Sequence, residues 1–138
     1  MTHEPWSDLI TLDTIQDLYV DGIRRFGGKS SSSKEGCVEG SVGNAYTAEL
    51  YDEAEISIPG LCFAGHILFY LASNHCYVDG NKRIAWTATM RVLLTLGLTV
   101  DATDDEAETF CLAVANGSIR SGVEVVRWIA PRLQSVDA

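Results

Sequence analysis

Apolar positions along this chain recur mainly at helical spacing. The first such set follows Thr11 and lies within residues 12–26: Ile15, Leu18, Tyr19, Ile23 and Phe26. Positions three and four apart share one face of a helix, so the pattern predicts a helix over residues 12–26. Thr11 is a suitable N-cap, and Gly27-Gly28 is suited to end the helix.

Two stronger apolar segments flank a polar stretch, and both predict buried helices. The first begins after Pro59, which suits the first turn of a helix, and runs toward Asn74. The second runs from about Asn81 to Leu96 and ends at Gly97.

Two further helices are predicted in the last third of the chain. Asp101 or Thr103 can cap a helix that continues through Ala115. An amphipathic segment predicts a last helix over residues 123–133, and Pro131 is expected to end or kink it early.

Two segments lack a clear period. Residues 27–44 are rich in glycine and serine, which predicts a mobile loop with a short helix near Val38. Residues 46–58 place short apolar runs on both sides of Asp52-Glu53, and this pattern allows either an irregular hairpin or a loop.

These elements predict one all-α domain over residues 1–138, a compact bundle of about six helices, with a short β-hairpin as a possible addition. A chain of this length can bury about two thirds of its unfolded surface. The ends, residues 1–10 and 134–138, are expected to be mobile.

Composition narrows the functional class. The net charge of -9 disfavours binding to nucleic acid or to an anionic membrane, because both need a basic face. No secretion signal and no membrane-spanning run are visible. The four cysteines lack CxxC spacing, and the apolar surroundings of Cys62 and Cys111 predict reduced thiols. The sequence therefore predicts a cytoplasmic protein.

The polar stretch between the two buried helices reads His75-Cys76-Tyr77-Val78-Asp79-Gly80-Asn81-Lys82-Arg83. His75 can accept a proton from a hydroxyl group, and Asp79 can hold a hard cation such as magnesium. Gly80-Asn81 lead into a helix N-terminus, where unpaired backbone N–H groups attract anions. Lys82 and Arg83 add positive charge there. The stretch predicts a phosphate-binding site.

The same residues also have ordinary structural interpretations. His75 can cap the end of one helix, and Asp79 can cap the start of the next. Lys82 and Arg83 can form a solvated helix face, although cations at a helix N-terminus oppose the helix dipole. His66, in the first buried helix, is expected to be a satisfied core or surface histidine rather than a ligand.

The polar stretch resembles the signature of the Fic/Doc superfamily, His-x-Phe-x-Asp/Glu-Gly/Ala-Asn-Gly/Lys-Arg. Further segments resemble Doc-type (death-on-curing) toxins: Thr11-Leu12, Arg25-Phe26-Gly27-Gly28, Glu35-Gly36-Cys37-Val38-Glu39-Gly40 and Ala113-Val114-Ala115-Asn116-Gly117. The resemblance covers most of the chain and implies the Fic/Doc fold. It also implies that His75 deprotonates a target hydroxyl, that Asp79 holds magnesium, and that Gly80, Asn81 and Arg83 cradle phosphates.

Lys82 is the position that separates two branches of that superfamily. AMP-transferring Fic enzymes usually carry glycine there, whereas Doc-type members carry lysine and are associated with ATP bound in the opposite sense. The resemblance therefore implies a toxin kinase that transfers the γ-phosphoryl group of ATP to a threonine of elongation factor Tu, with magnesium as cofactor. It also implies a cognate antitoxin whose disordered tail folds into a groove on the toxin.

The chain departs from the superfamily pattern at several positions. Cys76 replaces the usual proline, which predicts a less rigid loop entry, and Tyr77 replaces phenylalanine, which adds a hydroxyl group that needs a partner. Ile84 stands in place of a threonine of Doc-type members, and Trp86 in place of a second arginine of AMP-transferring members. That arginine is the partner that an inhibitory glutamate at Glu35 would need.

Three functional hypotheses follow from these observations. The first is a Doc-type protein kinase, and the second is a transferase that attaches AMP or another nucleoside monophosphate to a protein hydroxyl. The third is a binding module for anions or proteins that keeps the fold without turnover.

Overall fold

The computed structural model describes residues 10–56 and 58–136. Within them the elements are, in chain order, α1 (Leu12–Phe26), α2 (Cys37–Leu50), α3 (Leu61–Ser73), α4 (Asn81–Thr95), β1 (Leu98–Val100), α5 (Asp104–Ala115), α6 (Gly122–Ile129) and β2 (Leu133–Ser135). One turn of 3-10 helix, Ala130–Arg132, joins α6 to β2. The predicted all-α fold with about six helices is confirmed.

α3 lies at the centre of the bundle because apolar side chains surround nearly its whole circumference. It packs against α2, α4 and α6. Glycines bring α3 and α6 close together, since a Cβ atom on Gly65 would overlap Val126 and one on Gly122 would overlap the His66 ring. His66 is buried, and its Nδ1 lies 2.8 Å from the carbonyl oxygen of Cys62. It is a satisfied core histidine, as expected.

The helix ends agree with the capping residues in the sequence. The Thr11 side chain accepts a hydrogen bond in the first turn of α1, and Gly27 ends that helix at φ 81°. Thr103, rather than Asp101, caps α5 through a capping box. Pro131 lies in the 3-10 turn, so the last α-helix ends at Ile129 rather than near residue 133.

The region from residue 37 to residue 58 differs from the prediction. The mobile loop predicted over residues 27–44 is wrong beyond Gly36, because α2 extends for 14 residues from Cys37. α2 continues to Leu50, and turns with positive φ at Asp52 and Glu55 follow it, so the loop rather than the hairpin is found there. Ser57 lies outside the described residues.

The two strands join the ends of helices α4 and α6. β1 and β2 pair antiparallel, with Val100 opposite Leu133 and Leu98 opposite Ser135. The strand β2 thus includes part of the predicted mobile C-terminus, while residues 1–9 and 137–138 lie outside the described part. Within the described ranges, none of the helices has the length and apolar character that a membrane crossing requires.

Candidate functional site

The polar stretch forms the loop between α3 and α4, and His75 is exposed on it. Its backbone is left-handed, with φ 50°. That conformation costs a non-glycine residue about 1–2 kcal/mol, so neighbouring contacts must hold it. The imidazole makes no hydrogen bond or ion pair with the residues that the structure describes. Both ring nitrogens are therefore available to a ligand.

Asn81 and Tyr77 hold the loop in place. The Asn81 side chain accepts a hydrogen bond from the Tyr77 N–H (2.9 Å) and donates one to the Tyr77 carbonyl oxygen (2.7 Å). The Tyr77 ring is buried and stacks on Tyr19, with ring centroids 3.7 Å apart. Its hydroxyl group donates to Gln16 (3.1 Å), which is the partner that the substitution requires. Burial raises the pKa of Tyr77, so this phenol stays protonated.

The segment between α1 and α2 lies against this loop. The Lys34 N–H donates to the Cys76 carbonyl oxygen (2.8 Å), and the Val78 N–H donates to the Ser31 hydroxyl oxygen (3.1 Å). The Tyr19 hydroxyl oxygen accepts a hydrogen bond from the Ser31 N–H (3.2 Å). We call residues 29–36 the flanking segment. It is bonded to the loop at several points.

A disulfide joins the loop to α2. It links Cys76, the residue after His75, to Cys37, the first residue of α2. The absence of CxxC spacing gives no sign of this pairing, and the lack of proline at Cys76 predicts a less rigid loop entry. The loop entry instead carries a covalent bond. Cys62 and Cys111 are free and buried, as predicted.

Asp79 is an exposed, ionised carboxylate at the end of the loop. One oxygen accepts a hydrogen bond from the Lys29 N–H (3.0 Å) and the other from the Gly80 N–H (2.8 Å). These two hydrogen bonds are the main causes that lower the pKa of Asp79; desolvation opposes them, and the nearby Arg83 and Lys82 charges lower the pKa by less.

Magnesium fits this site as an ion that phosphates would share. The described residues contain no cluster of three or more histidine, cysteine, aspartate or glutamate side chains able to hold a metal. Asp79 alone would contribute a carboxylate, and each of its oxygens keeps a lone pair beyond the backbone bond it accepts. Magnesium in proteins is commonly held by one or two carboxylates together with phosphates and water. Asp79 thus suits that ion only when a phosphate ligand is also bound.

The first turn of α4 presents an anion-binding surface. Gly80 is the N-cap, with φ 81°, and its carbonyl oxygen accepts the first helical hydrogen bond, from Ile84. The backbone N–H groups of Asn81, Lys82 and Arg83 precede that bond and have no acceptor inside the helix. The Lys82 side chain is exposed at this positive end of the helix.

Arg83, which is expected to cradle phosphate, also has partners within the fold. Its guanidinium donates to the Gly27 carbonyl oxygen (3.2 Å) and lies 5.1 Å from the centre of the Phe26 ring. It therefore ties the C-terminal end of α1 to α4. A guanidinium group has five N–H donors, so others remain for an anion. The Asn81 side chain is held by the Tyr77 main chain, so it can offer a phosphate one remaining amide N–H in addition to the backbone N–H of the residue.

A cavity of about 410 Å³ opens beside the first two turns of α4. The cations Lys82 and Arg83 and the aromatic rings of Phe26 and Trp86 line it together with two acidic residues of α5, Asp104 and Glu108. Aromatic faces and cations together suit a nucleotide, whose base can stack and whose phosphates carry negative charge. Trp86 thus contributes to the cavity wall.

His75, Asp79 and Lys82 are exposed on the loop and the first turn of α4, whereas Asn81 and Arg83 have partners in the fold. The supporting residues Tyr19, Ser31 and Cys37 were missed, because their contacts join segments that are distant along the chain. The one sequence feature that could have pointed to these supporting contacts was Cys76, which stands in place of the usual proline. Ile84 is buried in the core, and Glu35 is exposed.

Comparison with known proteins agrees with this geometry. The model of the family described as Fic/DOC matches residues 9–93, which is more than half of the chain and includes the whole loop. No curated protein matches the chain.

Proposed function

Because the chain belongs to the Fic/DOC family, whose members are generally transferases, we propose that it is a Doc-type toxin kinase. It transfers the γ-phosphoryl group of ATP to a serine or threonine hydroxyl group of a translation factor, with elongation factor Tu as the first candidate. Its cognate antitoxin restrains it in the cytoplasm.

The observation that carries this proposal is the place of Lys82. Its exposed side chain stands in the first turn of α4, next to unpaired backbone N–H groups. A glycine there would leave space for a second phosphate group, whereas lysine fills and charges that space. This favours a bound ATP whose terminal phosphoryl group faces the base, rather than one that presents its α-phosphoryl group.

Each residue of the loop then has one task. The exposed His75 takes the proton as the target oxygen forms its bond to the γ-phosphorus, and the bond between that phosphorus and the β–γ bridging oxygen breaks to release ADP. The backbone N–H groups of α4 and Lys82 bind the phosphate oxygens. Magnesium, held by Asp79, would neutralise charge on the phosphates when bound.

The mass added to the target tests the proposal. The purified chain is incubated with elongation factor Tu, ATP and magnesium, and the intact target is weighed. A gain of about 80 Da supports phosphoryl transfer, and a gain of about 329 Da means that AMP is transferred instead. The His75→Ala variant should give no gain in either case.

The role of Lys82 is tested by comparing two α4 variants, each of which removes one exposed cation. Lys82→Ala is expected to slow phosphoryl transfer at least tenfold, because it removes charge from the anion site. Arg91→Ala removes an exposed cation of the same helix, more than two turns away, and should leave the rate unchanged. If neither variant nor His75→Ala changes toxicity in cells, the chain is a binding module rather than an enzyme.

The antitoxin is tested separately. The product of the neighbouring gene is expected to co-purify with the chain and to suppress its toxicity, because a toxin that stops translation must be restrained in the cell that makes it. A neighbour that fails to bind would remove the toxin–antitoxin part of the proposal and leave the kinase part standing.

A further inference from the structure

The disulfide between Cys37 and Cys76 lies where it can control the position of His75. Cys76 follows His75 directly and is 1% exposed. The Cys76 side chain forms the disulfide bond to Cys37 of α2. The Cys76 carbonyl oxygen accepts a hydrogen bond from Lys34 of the flanking segment. The next residue, Tyr77, is held by Asn81. The left-handed backbone of His75 is therefore fixed directly from its C-terminal side.

The two sulfur atoms differ in access. Cys76 is buried, with its sulfur 3.9 Å from the Ser41 hydroxyl oxygen, whereas Cys37 is partly exposed at the start of α2. An external thiolate can approach the sulfur of Cys37 first. The S–S bond then breaks, and its electron pair leaves on the sulfur of Cys76, which takes up a proton. A second external thiol releases Cys37 as a thiol, and the two external thiols end as a disulfide.

We propose that this disulfide is a redox control on the catalytic loop, with the oxidised chain active and the reduced chain weakly active. The inference rests on the proposed transferase function. Cytoplasmic disulfides in most organisms are transient and serve catalysis or sensing, so the predicted location favours a regulatory bond over a permanent structural one.

The physical effect of reduction is a loss of positioning. Without the covalent bond to α2, the left-handed backbone at His75 can relax, and hydrogen bonds such as those from the flanking segment are left to hold the loop. A displacement of about 1 Å at a catalytic group can lower a rate about a hundredfold. We expect reduction to slow target modification by at least about tenfold.

The experiment compares the oxidised and dithiothreitol-reduced chain at one protein concentration. Target modification is followed by intact mass, and far-UV circular dichroism checks that both forms remain helical. The Cys37→Ser/Cys76→Ser double variant should behave like the reduced chain under both conditions. Cys62→Ala, which changes a core cysteine outside the loop, should keep the full redox response.

A second measurement does not depend on activity. Reduction should shift the imidazole proton NMR signals of His75 and leave those of His66, and it should speed hydrogen exchange in residues 29–36. A reduced chain of equal or higher activity, or unchanged His75 signals and unchanged exchange, would overturn the inference. If neither form modifies any target but the signals and exchange respond, the coupling stands and the transferase proposal fails.

Discussion

Replacing Asn81 by alanine is expected to destabilise the loop and the whole domain together. The substitution removes both hydrogen bonds to the Tyr77 main chain. A buried N–H or carbonyl group left without a partner costs about 1–3 kcal/mol. Tyr77 is 4% exposed, yet its two main-chain bonds are only partly buried, so water can reach them in the variant. We therefore expect a loss of about 2–3 kcal/mol in unfolding free energy.

Two further variants make this magnitude interpretable. Asn81→Asp keeps the acceptor for the Tyr77 N–H but places an oxygen against the Tyr77 carbonyl, and its charge gains up to about 1 kcal/mol at the helix N-terminus. The unfolding free energy of Asn81→Asp should lie between those of Asn81→Ala and the wild type. Asn116→Ala is the matched control, because it removes one exposed hydrogen bond, to the Ser118 N–H, and should cost less than about 1 kcal/mol.

Urea unfolding followed by circular dichroism gives the free energies. The reasoning fails if Asn81→Ala and Asn116→Ala differ by less than about 0.5 kcal/mol, because two partly buried contacts would then count no more than one exposed contact. An unchanged m-value would show that the native and unfolded states are comparable among the variants.

Three other perturbations test the packing, the electrostatics and the cysteines. Gly65→Ala should cost about 1–3 kcal/mol by calorimetry, because its methyl group overlaps α6, whereas Gly43→Ala in the exposed face of α2 meets open space and should be neutral or stabilising. The folded pKa of Asp79 is lowered, so its stabilisation is present above about pH 4 and is lost as pH falls through the folded pKa. The difference in unfolding free energy between wild type and Asp79→Asn should accordingly shrink with acid, and a constant difference would contradict the assignment. Iodoacetamide should leave Cys62 and Cys111 of the native chain unmodified, since burial raises the pKa of both thiols, that of Cys111 to about 12. Intact mass should show two modified cysteines after unfolding alone and four after unfolding with reduction.

Local signals in the sequence were sufficient to predict most of the helices and the position of the loop. Capping residues and glycines mark the bounds of α1, α4 and α5, because a helix end is decided by the few residues around it. The loop that carries His75, Asp79 and Lys82 was also predictable, since these residues are close neighbours along the chain.

Contacts between distant segments were not predictable in the same way. α2 was missed because the face it buries carries small residues among polar ones, and these give a weak apolar period: Val38, Ser41, Ala45 and Ala48. The direction of the Arg83 side chain depends on a carbonyl group at the end of α1. The bond between Cys37 and Cys76 spans 39 residues and depends on how α2 docks beside the loop.

That same bond closes a covalent ring around the central helix. α3 lies entirely between Cys37 and Cys76, so the helix at the centre of the core is confined even when the chain unfolds. For a ring of this size, the loss of chain entropy in the unfolded state is worth about 4 kcal/mol. Reduction would then shorten the lifetime of the folded molecule as well as slow its chemistry. A cell that reduced this bond would both lower the activity of the protein and expose it to proteolysis.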